Sequence, residues 1–558
     1  MGASVHRSKY LWVQMFMVAN INTLGLIDET MKFEAFHIFA QVASTVKTSE
    51  VQFIDSNLTN EKLKAFAQGA TDFSLKIDRF ALSDKTMKSE AFHEFAQVAS
   101  NTGADIMQFN NCNLTSEKLN AFAQGATDFG LKINCIIEDN TMECEAFHKV
   151  AEVASTTKSD ILTFHNCNLT SEKLNALRTG AIHCDLKINH LHLQNETIDT
   201  EAFHEFAKVA STTKAKIVHF TDCRLTSENL NAFAQGATDI GLTIKQFVVS
   251  DKTMESEAFH KFAEVASTIG ANTVQFGDCN LTSKKLNALA QGVTDFGLKI
   301  NRFVLSDKTT ESEAFHKFAQ VTSTTGADEV EFNDCNLTSE KLNAFAQGAI
   351  DFGLKINCII IAYKTMECKA FHNIAEVASI TKAKHMMFAN CLTSEELNIF
   401  RQGAIDCDLK INSLNLFDKT MEFEAFHIFA QIASIVETSE VQFNDCNLTI
   451  EKLKAFAQGA TDSNLKIRKL ILEEENEPSQ NIAKNLFQLF SIVGERLFPD
   501  GWEIDQSSVD AIQSDEIPLN NELIIRSKDR CQSAPVRPSQ IQRIKKSISN
   551  IFRRRNPQ

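Results

Sequence analysis

The sequence predicts an α/β solenoid: an inner parallel sheet backed by outer helices, in about 16 stacked half-units. Three observations predict it. The tripeptide Ala-Phe-His recurs at His37, His93, His148, His204, His260, His316, His372 and His427, spaced by 56 residues or, twice, by 55. Each period holds two halves written in one grammar, a short alternating apolar run, a turn and a run of helical spacing. The chain carries 43 Phe but only two Tyr and two Trp. That composition suits a packed phenylalanine spine and lacks the residue types that usually anchor binding hot spots.

Residues 1–20 read as an N-terminal cap or arm. His6, Arg7 and Lys9 precede Leu11 to Ala19, a short apolar run that imitates a signal peptide. Yet Leu24, Leu26 and Asp28 to His37 already match Leu414, Leu416 and Asp418 to His427, which leaves little spacer. No run reaches transmembrane length.

Residues 21–472 form the array of eight double repeats, and Phe303 to Cys358 illustrates one. Phe303 and Leu305 alternate as a strand, Asp307 and Lys308 turn the chain, and Phe315, Phe318, Ala319 and Thr322 take helical spacing. The second half repeats the scheme with Val330 and Phe332 as strand, Cys335 and Leu337 as inner turn, and Leu342, Phe345, Ala346 and Ala349 as helix. That helix is entered through Thr338 and Ser339 with Glu340 in its first turn, and it is expected to end near Gly348.

On Ala327, Val330, Phe332, Cys335 and Leu337 the chain resembles the leucine-rich repeat family in its ribonuclease-inhibitor-like form. It is also similar to the recognition arrays of nucleotide-binding immune receptors. Phenylalanine replaces most of the leucines, and Lys85, Lys252, Lys308 and Lys419 stand where the family places Asn or Cys in first halves. The resemblance implies a horseshoe that binds a protein ligand on its concave face, with no enzymatic activity.

Residues 473–525 read as a C-terminal cap. Lys469 to Glu475 starts a ninth strand, and Asn481 to Phe498 then reads as a longer closing helix stopped by Pro499, Asp500 and Gly501. Residues 526–558 form a basic tail with ten Lys or Arg and one acid, a net charge of +9 against −15 for the whole chain. Pro538 to Arg555 predicts a basic amphipathic helix with Ile541, Ile544, Ile548, Ile551 and Phe552 on one side. Lys545, Lys546, Ile548, Phe552, Arg553, Arg554 and Arg555 make its candidate patch. Four readings compete for it: an anionic membrane surface, nuclear import, a calmodulin-like partner, or return onto the chain's own acidic body. The membrane ranks first because it uses both the stripe and the arginines.

Seven of the fourteen Cys, Cys112, Cys167, Cys223, Cys279, Cys335, Cys391 and Cys446, share one inner-turn position, filled once by Ser56. Neighbours in that column stand two strands apart, about 9.5 Å, beyond the roughly 7 Å that a disulfide tolerates. Free buried thiols favour a reducing, cytoplasmic setting. Against it stand six Asn-Leu-Thr sequons at Asn57, Asn113, Asn168, Asn280, Asn336 and Asn447, and Asn195. They keep open a secreted or surface protein acting in adhesion or host contact.

The chain has no phosphate-binding glycine loop, no nucleophile elbow and no metalloprotease helix motif, so neither an enzyme nor a cofactor is expected. The recurring histidines lie two units apart, about 16–20 Å on an outer helical face, too far to share a metal. Alternation along the strands predicts a concave face formed by Asp55, Gln108, Asn110, His165, His219, Asp222, Asp251, Gln275, Asp278, Asp307, Glu331, Asp334, Asp418, Asn444 and Asp445. This acidic column points to a basic protein ligand rather than nucleic acid, held by a monomer.

Overall fold

The computed structural model describes residues 22–27, 29–196, 198–362, 366–390 and 392–473, together with the backbone of 502–504 and 522–527. The chain divides into two compact units, the first comprising residues 1–280 and 287–300 and the second 281–286 and 301–558.

In the first unit ten strands run parallel, each paired with the next: β1 (Thr23–Leu26), β2 (Glu50–Ile54), β3 (Arg79–Ser83), β4 (Ile106–Asn110), β5 (Asn134–Glu138), β6 (Ile161–His165), β7 (His190–Gln194), β8 (Ile217–Thr221), β9 (Gln246–Ser250) and β10 (Thr273–Gly277). In the second unit the same order holds for β11 (Arg302–Ser306), β12 (Glu329–Asn333), β13 (Cys358–Ala362), β14 (His385–Ala389), β15 (Ser413–Phe417), β16 (Glu440–Asn444) and β17 (Lys469–Glu473). A helix of 12 to 14 residues follows each strand from β1 to β16. Each unit therefore has the architecture of an α/β leucine-rich repeat solenoid.

Local chemistry explains the elements. In each strand the second and fourth residues are buried and take the core side, as Val330 and Phe332 do in β12. The turn after second-half strands needs a left-handed residue, and Asp or Asn supplies it, as at Asp334 (φ 53). Second-half helices start on a threonine whose Oγ accepts the amide three residues on, at 3.3 Å for Thr338 and Lys341. Phenylalanines from strands and helices meet between them; the Phe53 ring lies 5.4 to 6.2 Å from those of Phe36, Phe39, Phe66 and Phe80.

One expectation needs correction. The helix Ser339–Asp351 does not end near Gly348 but runs through it. A Cβ on Gly348 would stand 2.6 Å from the His316 carbonyl oxygen and 2.9 Å from the Ala319 Cβ, so glycine is there to let two helices touch. In the C-terminal region β18 (Trp502–Ile504) and β19 (Glu522–Ser527) add antiparallel strands, β19 pairing with β17 and β18 with β19. The expected closing helix and the basic tail beyond Ser527 lie outside the described residues.

Candidate protein-binding surface

First, third and fifth residues of each strand point away from the core and make a face three residues deep. Gln108, Asn110, His165, His219, Gln275, Glu331 and Asn444 all stand there, half-buried, as the alternation predicts. Asp55, Asp222 and Asp278 are exposed in the turns that follow, with φ of 43, 50 and 35°, and Asp334 is half-buried beside them.

Asp251, Asp307 and Asp418 are not on this face. They are 0, 0 and 1% exposed. In Asp307 one carboxylate oxygen accepts the Leu281 amide of the preceding half-repeat at 2.9 Å, and the other accepts the Thr309 amide at 2.8 Å and its hydroxyl at 2.5 Å. Asp84, Asp139, Asp251 and Asp418 repeat the clamp on Leu58, Leu114, Leu225 and Leu392. The physical reason is that an inner turn buries amides which need an acceptor, and a short carboxylate reaches two at once. Asp445 is also buried, at 4%, and bridges to Lys419 at 2.5 Å.

The other half of the column supplies the complementary group. Cys335 donates its thiol hydrogen to the Leu305 carbonyl at 2.8 Å, Cys112 and Cys167 do the same to Leu82 and Ile137 at 3.1 Å, and the Ser56 hydroxyl does so to Leu26 at 2.9 Å. First halves thus offer an acceptor to the preceding coil and second halves a donor. Burial pushes the Cys112, Cys223 and Cys335 thiols up to about 12, so they are inert as nucleophiles.

The acidic column is accordingly thinner than the sequence predicts. Several remaining carboxylates are shared: Asp334 with Lys308 at 2.5 Å, Glu138 with His165 at 3.1 Å, and Glu329 with Arg302 at 2.8 Å, while Arg302 also holds Glu331.

Sequence reasoning missed the residues that first-half strands bring to this face, although the same alternation marks them. The most distinctive are His190 and His192, which join His219. His192 and His219 are register partners in β7 and β8, and their rings stack at 4.1 Å with 9° between planes. The His190 ring lies 5.9 and 5.8 Å from these two. Thr221 Oγ1 stands between the two Nε2 atoms, at 2.9 Å from His192 and 3.0 Å from His219. Burial, reinforced by the neighbouring imidazoles, lowers His192 to about 4 and His219 further. At neutral pH this patch is an uncharged aromatic cluster.

On the helical side the recurring histidines are half-buried and paired. His37, His93, His204, His260, His316, His372 and His427 each place Nε2 within 2.7 to 3.0 Å of an Asp oxygen on the following helix. A glutamine one helical turn earlier donates to the same Asp, and the His and Gln bonds hold these carboxylates below their ordinary range. In the third repeat His183 replaces the aspartate, 3.0 Å from His148. The signal was available, since an Asp follows the histidine by 34 or 35 residues wherever the pair forms. Among the described residues no group of three or more His, Cys, Asp or Glu could hold a metal ion, and no helix is long and apolar enough to cross a membrane.

No family model and no curated protein matches the sequence. Among solved structures, a leucine-rich repeat-containing protein, LegL7 from Legionella pneumophila, is 12% identical with a TM-score of 0.29, covering 75% of this chain and 97% of that one. A candidate alpha-L-fucosidase from Bacteroides thetaiotaomicron is 10% identical with a TM-score of 0.18, covering 55% of this chain and 92% of that one. Likeness at these scores carries no argument about what this chain does.

Proposed function

We propose that the chain is a non-enzymatic protein-binding scaffold, of the ribonuclease-inhibitor-like kind and similar to the arrays of nucleotide-binding immune receptors, which holds a protein ligand on the solvent face of its strands. One observation carries this reading. Framework positions repeat from coil to coil, whereas the middle position of the strand face repeats less strictly: along the second-half strands it reads Gln52, Gln108, Thr163, His219, Gln275, Glu331, Met387 and Gln442. A surface that varies over a rigid repeating frame is suited to recognition. Free buried thiols support a reducing cytoplasmic setting.

The test is affinity capture by the full chain from a cytosolic extract at two salt concentrations, with mass spectrometry of what stays bound. Gln275→Arg with Glu331→Arg should release a stoichiometric partner, while Glu172→Arg with Glu228→Arg, both on exposed helix starts, should keep it. Equal retention by both variants, or no partner at all, overturns the reading.

A second reading, a secreted glycosylated array, is favoured by one observation. Asn57, Asn113, Asn168, Asn280, Asn336 and Asn447 are all exposed, at φ between 45 and 50°. Native protein whose peptides carry no glycan at these positions removes it.

A further inference from the structure

The strand face of the second unit changes character over β13, β14 and β15. Along its middle row Ile360 pairs with Met387 and then Asn415; along its last row Ala362 pairs with Ala389 and then Phe417. Neighbouring strands on either side carry Glu331 and Asn333 in β12 and Gln442 and Asn444 in β16 at the same positions. Both rows therefore turn apolar together in β13 and β14. Met387, Ala362 and Phe417 are half-buried, and Ile360 and Ala389 are each 9% exposed, so the patch forms the floor of the face rather than a protrusion. Elsewhere in the unit an apolar middle residue, Val304 in β11 or Ile471 in β17, stands in line with a polar last residue, Ser306 or Glu473, so an apolar floor two rows deep marks a place something covers.

We infer that this patch is the seat of the chain's own basic segment, residues 538–555, which docks there as an amphipathic helix and occupies the strand face of the second unit until it is displaced. Reach permits it. Ser527 ends β19, which lies against β17, and the ten residues after it span up to about 33 Å when extended. Length fits too. Eighteen helical residues measure about 27 Å, and the five strand spacings from β17 to β12 measure about 24 Å, so a helix laid across the strands covers the patch and both its margins.

The chemistry is complementary. Ile541, Ile544, Ile548, Ile551 and Phe552 form one stripe, and the segment has six Lys or Arg and no acid. Glu329, Glu331 and Asp334 border the patch on one side and Glu440 and Asp445 on the other. Arg302, Lys308, Lys419 and Lys469 already share these carboxylates. The rim therefore fixes orientation, and apolar contact supplies most of the attraction. The seat places a segment read from sequence as a membrane-binding helix where it hides its stripe, so release would expose the stripe and the face together.

The inference goes beyond the protein-binding reading, which stands or falls on a captured partner whether or not the tail docks. The experiment uses the full chain with the photoreactive Met387→p-benzoylphenylalanine, irradiated at high dilution, with the crosslinked peptides mapped. Crosslinks within one chain to residues 538–555 are expected. Crosslinks only between chains would make a second copy the occupant, and crosslinks elsewhere or none would leave the tail unseated; each result overturns the inference. As an independent arm, Met387→Lys, judged folded by circular dichroism, should speed tryptic cleavage at Arg543, Lys545 and Lys546 about tenfold and raise binding to phosphatidylserine-containing vesicles by a similar factor. Unchanged cleavage and unchanged vesicle binding would mean that the tail is free in the native chain and the inference is wrong.

Discussion

Asp307 has no exposed surface, and the amides of Leu281 and Thr309 depend on it. Each buried amide left without an acceptor costs about 1–3 kcal/mol, so Asp307→Ala should lower the unfolding free energy by about 3 kcal/mol. Asp334→Asn, which keeps a residue suited to the left-handed turn and breaks only a surface pair with Lys308, should cost about 0–1 kcal/mol. Urea unfolding of the two variants checks the assignment, because equal costs would mean that both aspartates serve the same purpose. The sequence does not separate them. Asp suits any tight turn, and what distinguishes Asp307 is a leucine amide 26 residues away in another coil. A second prediction concerns acid. His192 is lowered to about 4 in the folded chain and titrates near 6.5 when unfolded, so between these values the unfolded state binds the additional proton. Stability carried by the stack is full above about pH 6.5 and is lost as pH falls toward 4. In urea midpoints measured from pH 7.5 to 5, His192→Asn with His219→Asn should flatten that part of the slope. An unchanged slope would show that the stack does not resist protonation.

At the level of helices, the sequence shows the apolar stripes and the threonine caps directly, because both depend on neighbours a few residues away. It hides the contacts between helices. Gly348 reads as a helix stop, yet its role is set by His316 and Ala319, about thirty residues earlier. Gly→Ala in an exposed helix ordinarily gains up to about 1 kcal/mol. Here the added methyl meets a carbonyl oxygen at 2.6 Å, and overpacking of this kind costs about 1–3 kcal/mol. Gly348→Ala should therefore destabilise, visible as a lower thermal midpoint, and a raised midpoint would show that the helices can part at no cost. The same pairing explains His183. His183→Asp would install in the third repeat the pair present in the other seven, and a small rise in thermal midpoint at pH 6 is expected; no rise would mean that the other seven pairs contribute nothing measurable.

Across each unit the coils alternate in how their helices meet. Within a double repeat a glycine, a His–Asp pair and a serine that bonds a carbonyl at the end of the next helix, such as Ser323 to the capping Phe352 at 3.0 Å, close the contact. Between double repeats a cleft lined by Lys64, Ala67, Gln68, Thr71, Gln97 and Asn101 separates the helices Asn60–Asp72 and Ser89–Thr102, crossed by the 3.5 Å pair of Lys64 and Glu94. Repeat stability is a sum of units and their interfaces, so excising residues 148–203, one full period joined at Phe147 and His204, should leave a cooperatively unfolding protein of the same helical content per residue. Excising half of that stretch should not, because it sets a cleft-forming surface against a glycine-bearing one; equal stability of the two deletions would show that all interfaces are alike. The fold class was legible because periodicity is a property of the whole sequence. The stepwise strength of the joints was not, since it resides in approaches of a few tenths of an ångström.

That alternation has a mechanical consequence. A filament with stiff and compliant joints in turn gives way at the compliant ones. Stretched from its ends in an optical trap, the array should lengthen in jumps of one double coil, 56 residues or about 190 Å of extended chain, the two coils of a pair letting go together.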